Sequence, residues 1–217
     1  MGRSNDEVEE KLSQLGIPNL KPIVLQVSRF DRLKDHLGVI RAYEIVKRSF
    51  DCQLVLVGGG ASDDPEGKEH YEEVCQRAEG IPDLHVLNLS PSSDAEINAL
   101  QRAATVVVQK SLREGFGLTV TEAMWKGKPV VGGDVGGIRR QIVDGVTGFL
   151  VQSSEEAASS IALLLANAGL RRKMGVISRE RVRRKFLMAH CLKNWLLVLH
   201  RLTHGGGPMD GLEVIPS

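Results

Sequence analysis

Aromatic residues make up only 4% of the 217-residue chain, cysteines number three, and no apolar run reaches membrane-spanning length. Each scarcity excludes something. Cys52, Cys75 and Cys191 are odd in number and unclustered, so their spacing suggests no disulfide framework; reduced thiols in a cytoplasmic setting are expected. The polar start Met1-Gly2-Arg3-Ser4-Asn5-Asp6-Glu7 gives no expectation of a secretory signal. Excess charge is missing too. Lysines and arginines number 28 against 27 acids, and the net +1 creates no global field to select nucleic acid or a membrane surface. Eight basic residues crowd into 171–185 beside one acid, but few aromatics interleave them, so the run reads as a solvated helix face. No Walker sequence is present, and no Ser/His/Asp set lies on a nucleophile elbow. His190 and Cys191 are adjacent and cannot face one site on a helix, while His200 and His204 straddle a helix end. No metal site is expected.

What is present is alternation. Strand-like runs at Ile23–Val27, Gln53–Val57, Leu84–Leu87, Thr105–Gln109, Pro129–Val131 and Gly148–Val151 are separated by helical patterns near Leu37–Arg48, Lys68–Glu79, Asp94–Ala103 and Leu118–Lys126. A capped helix at Asp6–Leu15 precedes them, and helices at Ser154–Asn167, Arg171–Lys185 and Leu187–Leu202 follow. This order predicts an α/β fold: a Rossmann-like parallel sheet with helices on both faces. The expected organisation is a helical lead-in over 1–20, one domain over 21–203 and a disordered tail over 204–217, where Gly205-Gly206-Gly207-Pro208 has loop composition. The last helix and its approach carry Phe186, Leu187, Met188, Leu192, Trp195, Leu196, Leu197, Val198, Leu199 and Leu202, more apolar surface than one stripe requires, and the surplus predicts contact with another body.

The most informative run is Glu114-Gly115-Phe116-Gly117-Leu118-Thr119-Val120-Thr121-Glu122. It places one carboxylate on a loop past a strand's carboxyl end and another about one turn into the next helix. In an open α/β sheet that edge is where ligands bind. Gly115 and Gly117 are costly there unless the backbone needs positive φ or close approach. The amides of Gly117, Leu118 and Thr119 would favour an anion. Glu122 shares a helix face with Leu118 and Trp125, so a buried carboxylate needing donors is expected, which a ligand diol can supply. After the first strand, Arg29 and Lys34 can reach the same crevice; a guanidinium fork with a nearby ammonium suits a diphosphate. Gly58-Gly59-Gly60 fails the dinucleotide fingerprint because Asp63 stands where the third glycine belongs, so a tight turn is expected, with Gly58 admitting ligand. Val135-Gly136-Gly137-Ile138 is read as another flexible loop at this edge, and Asp134 as pointing to solvent, away from the anion.

Arg29 with Lys34, the Glu114-x7-Glu122 element and Gly136-Gly137 together resemble the nucleotide-sugar domain of retaining glycosyltransferases of the GT-B fold. More narrowly, Gln26-Val27-Ser28-Arg29-Phe30-Asp31, Asp63-Asp64-Pro65-Glu66-Gly67 and the run from Arg113 to Pro129 resemble the glucosyl-transferring trehalose synthase branch, over about Pro22–Arg201. The resemblance implies a donor-binding, C-terminal half whose donor is a nucleoside-diphosphate glucose, with no resident cofactor and Mg2+ at most a diphosphate counterion. It implies Arg29 and Lys34 on the diphosphate, Glu114 on the transferred sugar, Glu122 on the ribose, the Gly115–Thr119 backbone (Phe116 included) as the cradle, and Leu87–Leu89 beside the base. It also implies a sugar acceptor, glucose, giving trehalose, and an N-terminal acceptor domain or second subunit. A silent nucleotide-sugar module and a trehalose phosphorylase of the same fold are the alternatives, and the last helix offers a surface for self-association. Two departures stand out: Asp35 follows Lys34 where the family has glycine, and the glycine expected after the third strand is absent near Ser90-Pro91.

Overall fold

The computed structural model describes residues 5–18, 20–59, 65–90 and 92–204. Six strands, β1 (Ile23–Val27), β2 (Gln53–Gly58), β3 (Leu84–Asn88), β4 (Val106–Gln109), β5 (Val130–Gly133) and β6 (Gly148–Val151), form one parallel sheet in the order β3-β2-β1-β4-β5-β6. β1 pairs with β2 from Ile23↔Gln53 to Val27↔Val57, and with β4 through Val24↔Val106 and Leu25↔Val107. The central strands are buried on both faces, which is why they read as continuous aliphatic runs rather than alternating ones.

Successive residues still point opposite ways, so each strand feeds two cores. Val24, Leu54, Leu56, Val106 and Val108 meet α2 (His36–Lys47), α3 (Pro65–Ala78) and α7 (Ser154–Ala166) on one face. Ile23, Leu25, Val55, Val57 and Val107 meet α1 (Asn5–Gln14), α4 (Asp94–Ala103), α5 (Leu118–Trp125) and α6 (Gly136–Gln141) on the other. Burial of each such side chain contributes about 2 kcal/mol. α8 (Ala168–Lys185) packs on α5, and α9 (Met188–His204) follows it. No described helix is long and apolar enough to cross a membrane.

Several local readings change. The segment opening Val135-Gly136-Gly137-Ile138 is not a flexible loop: it starts α6, with Val135 extended at its N-cap and Gly136 at φ +42°. α3 begins at Pro65, where a proline's missing N–H costs nothing in the first turn. α8 begins at Ala168, because the Asn167 side chain accepts from the Leu170 amide at 2.8 Å. A single 3-10 turn, Arg32–Lys34, interrupts what read as loop. α9 runs through His204, one residue past the expected boundary. The N-terminal residues 1–4, Asp63 with its neighbours, and the predicted tail over 205–217 lie outside the described residues.

β1 and β4 lie side by side while the chain leaves them toward opposite sheet edges, β1 to β2 and β4 to β5. Their following loops therefore diverge and open a crevice between them.

Candidate functional site

The β1–α2 loop is held by its own polar side chains. The Asp31 carboxylate accepts from the Leu33 amide at 2.7 Å and caps the 3-10 turn. Gln26, fully buried, donates its amide to the Lys34 carbonyl at 2.8 Å. Asp35 sits at φ +51°, ψ +45°, the left-handed region that favours glycine and that aspartate tolerates best among charged residues. Its carboxylate caps α2 by accepting from the Gly38 amide at 3.2 Å and forms an ion pair with Lys110 Nζ. The aspartate thus keeps the glycine-like backbone and adds a tie to the end of β4.

The β4–α5 loop answers it. Lys34 Nζ lies 2.6 Å from Glu114 Oε2, and the two side chains are only 15% and 13% exposed. Ser111 Oγ reaches the same carboxylate oxygen at 3.4 Å, and Gln109 Nε2 donates to Ser111 Oγ at 3.1 Å. Gly117, at φ +82°, opens α5 with no side-chain cap, so the positive end of that helix faces the crevice. Gly136 and Gly137 let α6 press on this loop. A Cβ at Gly136 would lie 1.9 Å from the Glu114 carbonyl oxygen, and one at Gly137 would lie 2.4 Å from that of Gly115.

Between the loops lies a cavity of about 430 Å3, with Ser28, Arg29, Gly58, Gly59, Leu89 and Thr119 in its wall. Ser93 at the N-cap of α4, with Asp94 and Ile97 of that helix, also lines it. The Arg29 side chain is 69% exposed and meets Asp31 at 3.5 Å, which leaves its guanidinium able to swing over an anion. A second hollow of about 350 Å3 is lined by Gly115, Phe116, Gly136, Gly137, Arg140 and Phe186.

Of the sequence-predicted residues, Arg29, Gly58 and Thr119 line the first cavity, Lys34 and Glu114 meet each other but are not in its lining, and Gly115 and Phe116 line the second hollow. Leu118 is exposed at the head of α5. Three placements differ from expectation. Of the Leu87–Leu89 stretch expected beside the base, Leu89 takes the cavity wall as expected, while Leu87 on β3 packs against the core. Glu122 is not buried: it is exposed on α5, and its carboxylate accepts from Gln101 Nε2 at 2.8 Å. Gln101 in turn accepts from Lys126 Nζ at 2.7 Å, and burial pushes that ammonium's pKa down. Asp134 does not point freely to solvent either; Arg139 Nε donates to it at 2.6 Å and holds its carboxyl below the usual carboxylate range. Lys110 and Gln101 were missed. A lysine directly after a buried strand was the available signal for the first; nothing in the helical pattern of α4 marked the second. Among the described residues no group of three or more His, Cys, Asp or Glu is placed to hold a metal.

A family profile described as Glycosyl transferases group 1 matches residues 7–181. Among curated proteins, trehalose synthase of Pyrococcus horikoshii is 46% identical over 198 residues, 90% of this chain and 48% of that protein. Trehalose phosphorylase of Grifola frondosa is 37% identical over 164 residues, 70% of this chain and 22% of that protein. Among solved structures, sucrose-phosphate synthase from Thermosynechococcus elongatus aligns with a TM-score of 0.73 at 31% identity, over 93% of this chain and 51% of that one. Anabaena HepE, crystallised with UDP-glucose, aligns with a TM-score of 0.66 at 25% identity, over 82% of this chain and 49% of that one. The chain spans about half the length of the trehalose synthases it matches.

Proposed function

The chain belongs to the glycosyl transferases group 1 family, with the Rossmann-like α/β architecture of GT-B proteins, and from that premise we propose that it is the donor-binding domain of a retaining glucosyltransferase. The donor is a nucleoside-diphosphate glucose and the acceptor glucose, giving trehalose. The observation that carries this reading is the Lys34–Glu114 contact of 2.6 Å across the switch point of the sheet, beside a cavity edged by Arg29 and the head of α5. It joins a cation for the diphosphate to a carboxylate for a sugar hydroxyl in one place. As the bond from the sugar to the diphosphate breaks, negative charge grows on the leaving phosphate. Lys34, Arg29 and the amides of Gly117, Leu118 and Thr119 stabilise that charge. The acceptor attacks from the face the phosphate leaves, and the phosphate takes its proton; no protein nucleophile enters. Gly115 and Phe116 complete the backbone cradle, Leu89 borders the base, and Glu122, oriented by Gln101, accepts from the ribose. Mg2+, where present, would act only as a counterion to the diphosphate. The relatives named trehalose synthase and the neighbour bound to UDP-glucose support this reading.

An acceptor domain on the same longer chain or on a second subunit completes the cleft. The apolar face of α9 supports this: Met188, Leu192, Trp195, Leu196, Leu199 and Leu202 are each more than half exposed. Self-association through α9 is the competing use of that face. The unpaired Cys52, Cys75 and Cys191 suit a reducing, cytoplasmic setting.

Calorimetric titration with ADP-, UDP- and GDP-glucose tests the donor site, and a transfer assay with an added acceptor domain tests the reaction. Lys34→Ala should lower transfer by about 100-fold or more. Wild-type rates in Arg29→Ala, Lys34→Ala and Glu114→Ala would overturn the assignment. The relative named trehalose phosphorylase favours a second reading. In that case trehalose and inorganic phosphate would be consumed without any nucleotide, which a phosphate-uptake assay decides.

A further inference from the structure

Ser28, a residue of the cavity wall, is the first member of a chain of buried polar side chains, its hydroxyl held by Gln26 and His36. Ser28 Oγ lies 3.0 Å from His36 Nε2, His36 Nδ1 lies 3.2 Å from His70 Nε2, and His70 Nδ1 lies 3.1 Å from Glu73 Oε2. His36 and His70 are 1% and 2% exposed, and Phe30 stacks on the His36 ring at 5.1 Å. At the outer end Arg32 donates to Glu73 at 2.8 Å and approaches Glu69 at 3.6 Å.

With both imidazoles neutral, the Glu73 carboxylate at the end of the run sets the direction of each hydrogen bond. An ionised carboxylate only accepts, so His70 Nδ1 carries the hydrogen given to Glu73. With one hydrogen on the ring, His70 Nε2 is a lone pair, and His36 Nδ1–H must donate to it. His36 Nε2 is then also a lone pair, and the Ser28 hydroxyl donates inward to it. Gln26 Nε2 donates to Ser28 Oγ at 3.3 Å, so the hydroxyl's hydrogen is spent inside the protein and none is offered to the cavity. One added proton reverses the series. Ser28 takes a hydrogen from the cavity side and passes its own to His36 Nε2; His36 passes its Nδ1 hydrogen to His70 Nε2. The net result is one proton gained, His70 doubly protonated, His36 switched to the Nε2–H form, and a Ser28 O–H free to donate into the cavity.

We propose that His36, His70 and Glu73 are positioning residues that turn the Ser28 hydroxyl toward a diphosphate oxygen when the chain takes up one proton, so that donor binding is linked to proton uptake. The inference rests on the donor-site reading above. The charges around the relay suit it. Glu73 on α3 stabilises a cationic His70 and is itself held below the usual carboxylate range, chiefly by its bond to His70. His70 and then Lys34 lower the affinity of His36 for a proton, while Asp31 raises it; the nearby Arg32, Lys34 and Lys110 are each paired with a carboxylate, of Glu73, Glu114 and Asp35. Burial, then His70, pushes His36 down to about 3, so His36 passes protons without keeping a second one.

Two measurements on the full chain test this. Long-range 1H–15N NMR of the histidines at about pH 8.5, well above the ordinary imidazole pKa, should show Nδ1–H tautomers for both His36 and His70; Nε2–H on either overturns the proposal. Titrations of ADP-, UDP- and GDP-glucose in buffers of different ionisation heat should show net proton uptake of up to one per ligand. Their diphosphates are esterified at both ends, so the ligand does not supply the titration. Affinity should fall by about fivefold between pH 5.5 and 8.5, and His70→Gln should flatten that dependence. Binding without uptake sinks the relay while leaving the donor site intact. No heat from any of the three sinks the donor site and the relay with it. Should His70→Gln fail to fold, the tautomers of the unmodified chain still decide.

Discussion

A methyl group added at position 58 would sit 2.0 Å from the Ser28 carbonyl oxygen, a backbone atom that cannot swing aside, and 3.4 Å from the Phe30 ring. Gly58→Ala should therefore lower stability by about 2–3 kcal/mol, seen as a lower urea midpoint, and weaken donor binding by displacing Ser28 and Arg29. An unchanged midpoint would mean the two loops are looser than their spacing suggests. The glycine was visible in the sequence; its reason was not, because Ser28 comes within reach only through the pairing of β1 with β2. Glu122 makes the same point from the other side. Its spacing from Glu114 was legible, but its exposure and its bond to Gln101 depend on how α4 lies beside α5. Lys110, invisible as a partner in the chain, became one when Asp35 was brought to it from 75 residues away.

At the level of elements, β1 and β6 fall where the aliphatic runs put them, because β-branched residues bounded by turn residues leave little ambiguity. α6 was missed for an equally physical reason: six residues with two glycines at the start show neither helical period nor propensity, and the packing of Ile138 into the core makes the helix. The loop between β1 and α2 is where an element and a site coincide. Asp35→Asn keeps the tolerance of left-handed backbone and can still cap α2, but it leaves the Lys110 ammonium, 7% exposed, without its counterion. The expected cost is about 3 kcal/mol in urea unfolding, with weaker donor binding. Asp35→Gly should lose the same pair while relaxing the backbone. If the glycine variant were as stable as the parent, the tie between the two loops would be unimportant.

The whole molecule should be acid-sensitive. At the opposite edge of the sheet from the cavity, Lys21 and Lys47 each reach Asp51 and Asp83, with Lys47 Nζ 2.5 Å from Asp83. Hydrogen bonds from these lysines hold both carboxyls below their usual range. Their contribution is fully present above about pH 4 and is lost as pH falls through the depressed folded values. Both lysines are raised, so their contribution holds below about pH 10.4 and fades as pH climbs past it. His36 adds a second slope. Its folded value of about 3 lies below the ordinary ~6.5, so the unfolded chain binds the extra proton between those limits and stability falls as pH drops through that window. Urea midpoints measured from pH 7 to 4 should decline, and His36→Asn should flatten the part above pH 4; a flat parent curve would contradict both assignments. The chain's order of aliphatic runs and helical patterns by itself determined a parallel α/β sheet and put Arg29, Lys34 and Glu114 at its carboxyl edge, since local periodicity and βα connection rules need no long-range information. Only the tertiary structure decided which of those groups meet: the Lys34–Glu114 and Asp35–Lys110 pairs and the run from Ser28 to Glu73 join loops far apart in sequence, and contact across a sheet edge is set by packing, not by spacing along the chain.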